Sequence, residues 1–181
     1  VRISGLDLSL TSTGAARVRP GHDTVTVRLR PRQLEGHARL DWLLRRIWAT
    51  VEDSDWVIME GPSFGSPLAQ HKMGGLWWCV AHMLWLRNVP YEVVQPSSLK
   101  IYATGRGNAD KDEVLAQVIR RYPAADIHGN DEADALVLAA MGSDYLLDAP
   151  LAQLPADHRR ALDKVGWSTR AQEQREQWAT R

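Results

Sequence analysis

Paired cysteines are missing from this chain: Cys79 is the only cysteine in 181 residues. That excludes an internal disulfide and a cysteine-based zinc site, and it fits a reducing compartment. No apolar run approaches the length that spans a bilayer, and the opening VRISGLDLSL holds too short a hydrophobic stretch for a secretory leader. The expected location is therefore the cytoplasm, with no membrane partner. Net charge is missing too, because 22 Lys and Arg face 22 Asp and Glu. Over the whole chain, neutrality argues against a polyanionic partner, since phosphate binding ordinarily leaves a basic excess. Phenylalanine occurs once, at Phe64, against eight tryptophans. What is present is 44% hydrophobic residues, enough for the core of one ordinary domain and too much for a disordered chain.

The neutrality is a balance between unlike segments. Residues 1–50 carry nine bases and four acids, and residues 87–121 carry six and four. Residues 51–60 hold four acids and no base, and 122–147 hold five acids and no base. Glu60, Asp131 and Asp134 lie in these two acidic stretches.

Residues 2–9 read as a buried strand ending in a polar turn, followed by strands near 14–19 and 24–30 in an antiparallel meander. Leu40, Leu43, Leu44, Ile47, Trp48 and Val51 recur at helical spacing over 36–51, with Arg39, Arg45 and Arg46 opposite. Trp56–Met59 predicts a strand ending at Glu60, broken by Gly61-Pro62. A helix over 67–88 follows, weakened at Gly74-Gly75, and then a strand over 91–94. A short helix near 97–103 leads into a glycine loop at 104–108. Helices are predicted over 110–122 and 131–147, the second capped by Asn130. Pro150 and Pro155 mark a boundary, giving a body over 1–149 and a helical extension over 150–181 with helices at 156–165 and 169–179. The order implies an α/β fold: a mixed five-stranded sheet flanked by helices, with a short helical C-terminal tail.

Four carboxylates have one natural meeting point. Asp7 sits in the first strand between Leu6 and Leu8, where burying an uncompensated charge is costly. Glu60 closes another strand, and strand ends facing loops are where sheet-based sites assemble. Asp131 and Asp134, three apart at a helix start, project from one face. Acids converging from separate elements repel one another, and a hard divalent cation such as Mg²⁺ or Mn²⁺ relieves this; a pair ~4 Å apart is the arrangement of two-metal phosphoryl transfer. Each acid taken singly has a plain alternative as an end charge, a turn residue or a solvated side chain.

The blocks GLDLSLTSTG, VIMEGPSFG, VVQPSSLKIYATGRGNADKDEV and NDEADALVLA, in this order over residues 3–145, resemble the RuvC family of Holliday-junction resolvases. The resemblance implies an RNase H-like fold, a homodimer, and Mg²⁺-dependent cutting of four-way DNA junctions, with two ions per site and Mn²⁺ able to substitute. It also implies the cytoplasm of a bacterial or phage-infected cell, and the small size and unmatched tail suggest a phage-type member. Residue by residue, Asp7, Glu60, Asp131 and Asp134 match the family's metal-binding acids, and Lys100 and Lys111 its lysines near the cleaved backbone. Gly105 and Gly107 let a main chain approach phosphate, with Arg106 adding charge. Phe64, four residues after Glu60, matches the aromatic that wedges into the junction; packing against its own domain is the alternative. With two divalent cations bound, the protein would carry about +4.

Two rival readings stand beside this one. DLSLT at 7–11 also resembles the first phosphate loop of actin-like and sugar-kinase ATPases, although 181 residues cannot supply the two domains these need. No GxxxxGK[ST] is present, so no nucleotide cofactor is expected. A junction-binding module with weak chemistry is the second rival. For dimerisation, the helix over 67–88 is the candidate surface through Met73, Leu76, Trp77, Val80 and Leu84, with an internal core as the alternative. Trp167 and Trp178 anchor the tail to the body or, with Arg159, Arg160, Lys164 and Arg170, face a partner. His71, His82 and His128 read as packing or loop residues, and Cys79 as a small core residue.

Overall fold

The structure is a computed structural model and describes residues 1–62 and 67–180, with the side chains of 67–70 left out. Its strands are β1 (Ile3–Asp7), β2 (Thr13–Val18), β3 (Val25–Leu29), β4 (Trp56–Glu60) and β5 (Tyr91–Val94). They form one sheet in the order β3-β2-β1-β4-β5. The first three pair antiparallel, while β1/β4 and β4/β5 are parallel. The helices are α1 (Gly36–Val51), α2 (Pro67–Leu86), α3 (Pro96–Thr104), α4 (Lys111–Arg121), α5 (Asn130–Leu147), α6 (Ala156–Arg159) and α7 (Thr169–Ala179). The mixed five-stranded sheet flanked by helices is thus the observed fold. Among the described residues, no helix is long and apolar enough to cross a membrane.

Side chains alternate across the pleat, so each strand feeds two cores. Leu6, Leu8, Val57 and Met59 join Leu43, Ile47, Leu76, Val80 and Leu84 on the α1/α2 face. Ile3, Trp56 and Ile58 join Leu136, Val137 and Ala140 on the α5 face. The α1/α2 cluster takes in Leu76, Val80 and Leu84, so of the two readings of this helix the internal core holds for them. These α2 residues face the sheet, and the outward side of α2 carries Gly75, Trp78, His82 and Trp85 instead. A helix apolar nearly all round leaves its inward face undecided until the sheet chooses it.

α5 lies on the sheet at backbone contact. A Cβ on Gly5 would stand 2.0 Å from the carbonyl oxygen of Ala135, and one on Gly14 would stand 1.8 Å from that of Asp131. Only hydrogen fits at both crossings, which seats the start of α5 against the middle of the sheet.

Two expectations change in detail. α5 is capped by Gly129 with no side-chain cap bond, and Asn130 is already helical. The Glu132 carboxylate reaches back to accept from the His128 backbone N–H at 3.0 Å, and Arg28 lies 3.7 Å from it, so the helix starts one residue earlier. The predicted 156–165 helix is broken into α6 and a 3₁₀ turn at Leu162–Lys164. The segment packs on the body: Trp167 stacks on Tyr145 at 3.9 Å between ring centroids, and Trp178 meets Trp56 edge-on at 6.2 Å. Glu92, buried in β5, accepts from the Ser168 N–H and hydroxyl at 3.0 and 2.5 Å. Arg160 donates to the Gly105 carbonyl at 3.1 Å, which ties the tail to the glycine turn after α3. Cys79 is partly exposed rather than enclosed.

Candidate active site

Alternation puts positions 3, 5 and 7 of β1 on the same face as 56, 58 and 60 of β4, the face that α5 covers. Leu6 pairs with Met59 in the parallel ladder, so Asp7 and Glu60 emerge side by side at the C-terminal ends of adjacent central strands. Asp7 is also opposite Gly14 in β2, and the Asp131 main chain sits on Gly14. One turn further along α5, Asp134 faces the same place. Each of the four acids is partly buried.

Their protonation reports their closeness. Desolvation by burial is the largest effect on Asp7, and Glu60, Asp134 and Asp131 add repulsion, so its pKa is held well above the usual carboxylate range despite Lys111. Glu60 is raised by burial, while a side-chain hydrogen bond with Asp7 and the charges of Lys111 and Lys100 pull it down. Asp134 is pushed up to about 7 by burial first and by Glu60 next, against Lys111 and Lys100. Among the described residues, no three acid, imidazole or thiol groups are drawn up around one point to hold a metal ion as they stand. The donor set still suits a hard divalent cation. It consists of oxygen ligands only, buried and mutually repelling, which a cation would relieve.

Lys100 is on α3, directly after β5, and Lys111 opens α4, whose cap Asp110 accepts from the Glu113 N–H at 2.8 Å. Both lysines act on Glu60 and Asp134. Arg106 lies in the exposed turn between them and is paired with Glu113 at 2.5 Å, to one side of the acids. Phe64 lies outside the described residues.

Sequence reasoning missed two supporting groups. The Ser12 hydroxyl donates to Asp131 at 2.5 Å, and Trp77 Nε1–H donates to the Glu60 carbonyl at 3.1 Å. Ser12 was readable only as turn punctuation, and the role of Trp77 depends on which way α2 faces. His128 pairs with Asp126 at 3.0 Å and supplies only a backbone contact to Glu132.

No family model matches the chain. Among curated proteins, it is 29% identical over 191 residues to the crossover junction endodeoxyribonuclease RuvC of Nocardia farcinica (strain IFM 10152), covering 97% of each chain. Among solved structures, Thermus thermophilus RuvC superposes with a TM-score of 0.67 at 19% identity, over 85% of this chain and 100% of that one. T. thermophilus RuvC in complex with a Holliday junction substrate gives 0.61 at 20% identity, over 76% and 90%. The chain is thus similar to a RuvC along nearly its full length in sequence, and it shares the fold of the solved RuvC structures.

Proposed function

We propose that this chain is a divalent-metal-dependent endonuclease that resolves branched DNA, four-way junctions above all, as a homodimer. One observation carries the reading: Asp7, Glu60, Asp131 and Asp134 come from β1, β4 and α5 to one end of the sheet, where each of the three shifted acids feels at least one of the others. The near full-length similarity to a crossover junction endodeoxyribonuclease, and a solved relative in complex with a Holliday junction substrate, support the substrate class.

In this reading the four acids would hold Mg²⁺, two ions per site, with Mn²⁺ able to substitute. The chemistry such cations would supply there is activation of a water and neutralisation of charge at the scissile phosphate. The chain's own groups do the rest. Gly14 and the Ser12 hydroxyl fix Asp131, and Trp77 holds the backbone of Glu60. Lys100 and Lys111 balance the acids and draw in the phosphate. Arg106 exchanges Glu113 for a DNA phosphate, and Phe64 stacks at the junction centre. Residues 1–149 form the nuclease body, and the 150–181 extension braces the Gly105 turn that carries Arg106.

A second copy would dock on the outward face of α2. Gly75, Trp78, His82 and Trp85 follow 3-4-3 spacing, and Trp78 and Trp85 are 69% and 67% exposed. Two bare tryptophans in one stripe are costly on a monomer, and a twofold contact would place one active site on each strand of a symmetric junction. The test is incubation of the protein with a synthetic four-way junction and with a linear duplex of the same sequence, in Mg²⁺ and in Mn²⁺. Paired nicks in the junction, with the duplex spared, are expected. A junction left intact with both metals would overturn the proposal.

A further inference from the structure

An arginine-lined groove leads away from the acids across the free edge of the sheet. Its volume is 560 Å³, and Arg28, Arg30, Arg32, Arg46, Trp42 and Glu132 line it. β3 is the edge strand and runs antiparallel to β2, with Leu29 opposite Thr13 and Arg28 opposite Gly14. Its C-terminal end therefore leaves the sheet at the same end as Asp7, which pairs with Gly14 on the other side. The Arg30 guanidinium reaches Ser12 Oγ at 3.5 Å, and that hydroxyl donates to Asp131. Chain and hydrogen bonds thus connect the groove's mouth to the acid cluster.

The charges in the groove are unequal. Arg28 is committed to Glu132 at 3.7 Å, beside the cap of α5. Arg30, Arg32 and Arg46 are exposed, and among the described residues none of them makes an ion pair. Trp42 supports Arg46, whose guanidinium carbon lies 5.6 Å from the ring centroid. Three cations without an ion-pair partner among the described residues therefore line an open channel. Arginine on an open surface suits a ligand carrying many phosphates, because guanidinium forks pair with phosphate oxygens and need no enclosing pocket.

We propose that this groove holds the phosphate backbone of a duplex arm leading away from the cleaved strand, with Arg30, Arg32 and Arg46 as its contacts. This rests on the branched-DNA reading and extends it, because it names a path for the DNA that the acid site and its two lysines do not supply. It also accounts for the excess of bases over acids in the first fifty residues, nine against four.

The test compares wild type with Arg32→Glu/Arg46→Glu, two exposed positions outside the acid site. The probe is a synthetic four-way junction, bound in Ca²⁺ over a range of salt and cut in single turnover in Mg²⁺. Circular dichroism melting checks folding, and Arg32→Ala/Arg46→Ala provides a milder second pair. The groove account expects about tenfold weaker binding near 0.1 M salt, a salt slope lower by about 2, and a cutting rate at saturating protein within about twofold of wild type. Equal affinity and equal salt slope for wild type and both variants would overturn the groove while leaving the nuclease reading intact. Wild type failing to bind the junction would overturn the nuclease reading, and the groove with it.

Discussion

α2 and α5 are the two long apolar helices of this protein, and they sit on opposite faces of one sheet in different ways. α5 is enclosed along nearly its whole length, touches strand backbone at Gly5 and Gly14, and presents two carboxylates from its first turns. α2 buries Leu76, Val80 and Leu84 but leaves Trp78 and Trp85 in solvent. The difference teaches that similar hydrophobicity serves two ends. In α5 it seats the acids against the strand backbone, and in α2 it leaves an aromatic face in solvent.

Separating α5 from the sheet should have the largest effect. Gly14→Val places a side chain where the Asp131 carbonyl already is, so it should cost at least ~3 kcal/mol and give a poorly folded chain by circular dichroism. The equivalent addition on α2, Gly75→Ala, meets open space and should leave melting within ~1 kcal/mol of wild type. Similar melting of the two variants would mean that α5 is not seated as described.

Next in size is the effect of the acids themselves. Asp134→Asn should lower junction cleavage at least about 10²-fold, while making the metal-free protein more stable at pH 8, because the lost charge was a repelled one. The pH dependence follows from the same group. Its folded pKa of about 7 lies above the ordinary 3.8, so the folded state holds the proton more tightly. Its stabilising contribution is complete below about pH 4 and lost as pH rises through about 7, by at most ~4 kcal/mol. Thermal melts of metal-free wild type should fall across that window, with a shallower fall in Asp134→Asn. Identical slopes would mean that Asp134 is solvated.

The smallest effect on the monomer should come from the open face of α2. Trp78→Ala/Trp85→Ala should shift sedimentation from dimer toward monomer with little change in helicity. A monomeric wild type, or an unchanged dimer in the variant, would remove α2 from the interface.

Much of this was legible in the sequence, for physical reasons. Asp7 between two leucines, and Glu60 at the end of an apolar run, are expensive places for charge, so they stand out against their neighbours. Asp131 and Asp134 gained meaning from their three-residue spacing at a helix start. The order of strands and helices followed from turn residues and periodicity. What stayed illegible depended on contacts between distant segments. The inward face of α2 is set by the sheet, and with it the bond from Trp77 to Glu60. Ser12 meets Asp131 across 119 positions of sequence, and nothing local marks it. Asn130 has the composition of a cap, yet Glu132 takes that task with Arg28 from another strand. Whole-chain neutrality pointed away from DNA because it averaged the basic edge formed by β3 and α1 with the acids that charge the site.

If the four acids at the start of α5 and the ends of β1 and β4 make a metal-dependent nuclease, loss of Asp7 must show it, because Asp7 lies beside Glu60 and opposite Gly14. The measurement is single-turnover cleavage of a four-way junction in Mg²⁺ by wild type and Asp7→Asn, with junction affinity measured in parallel. The account predicts cutting reduced at least about 10²-fold with binding retained. Cleavage by Asp7→Asn at the wild-type rate would contradict it.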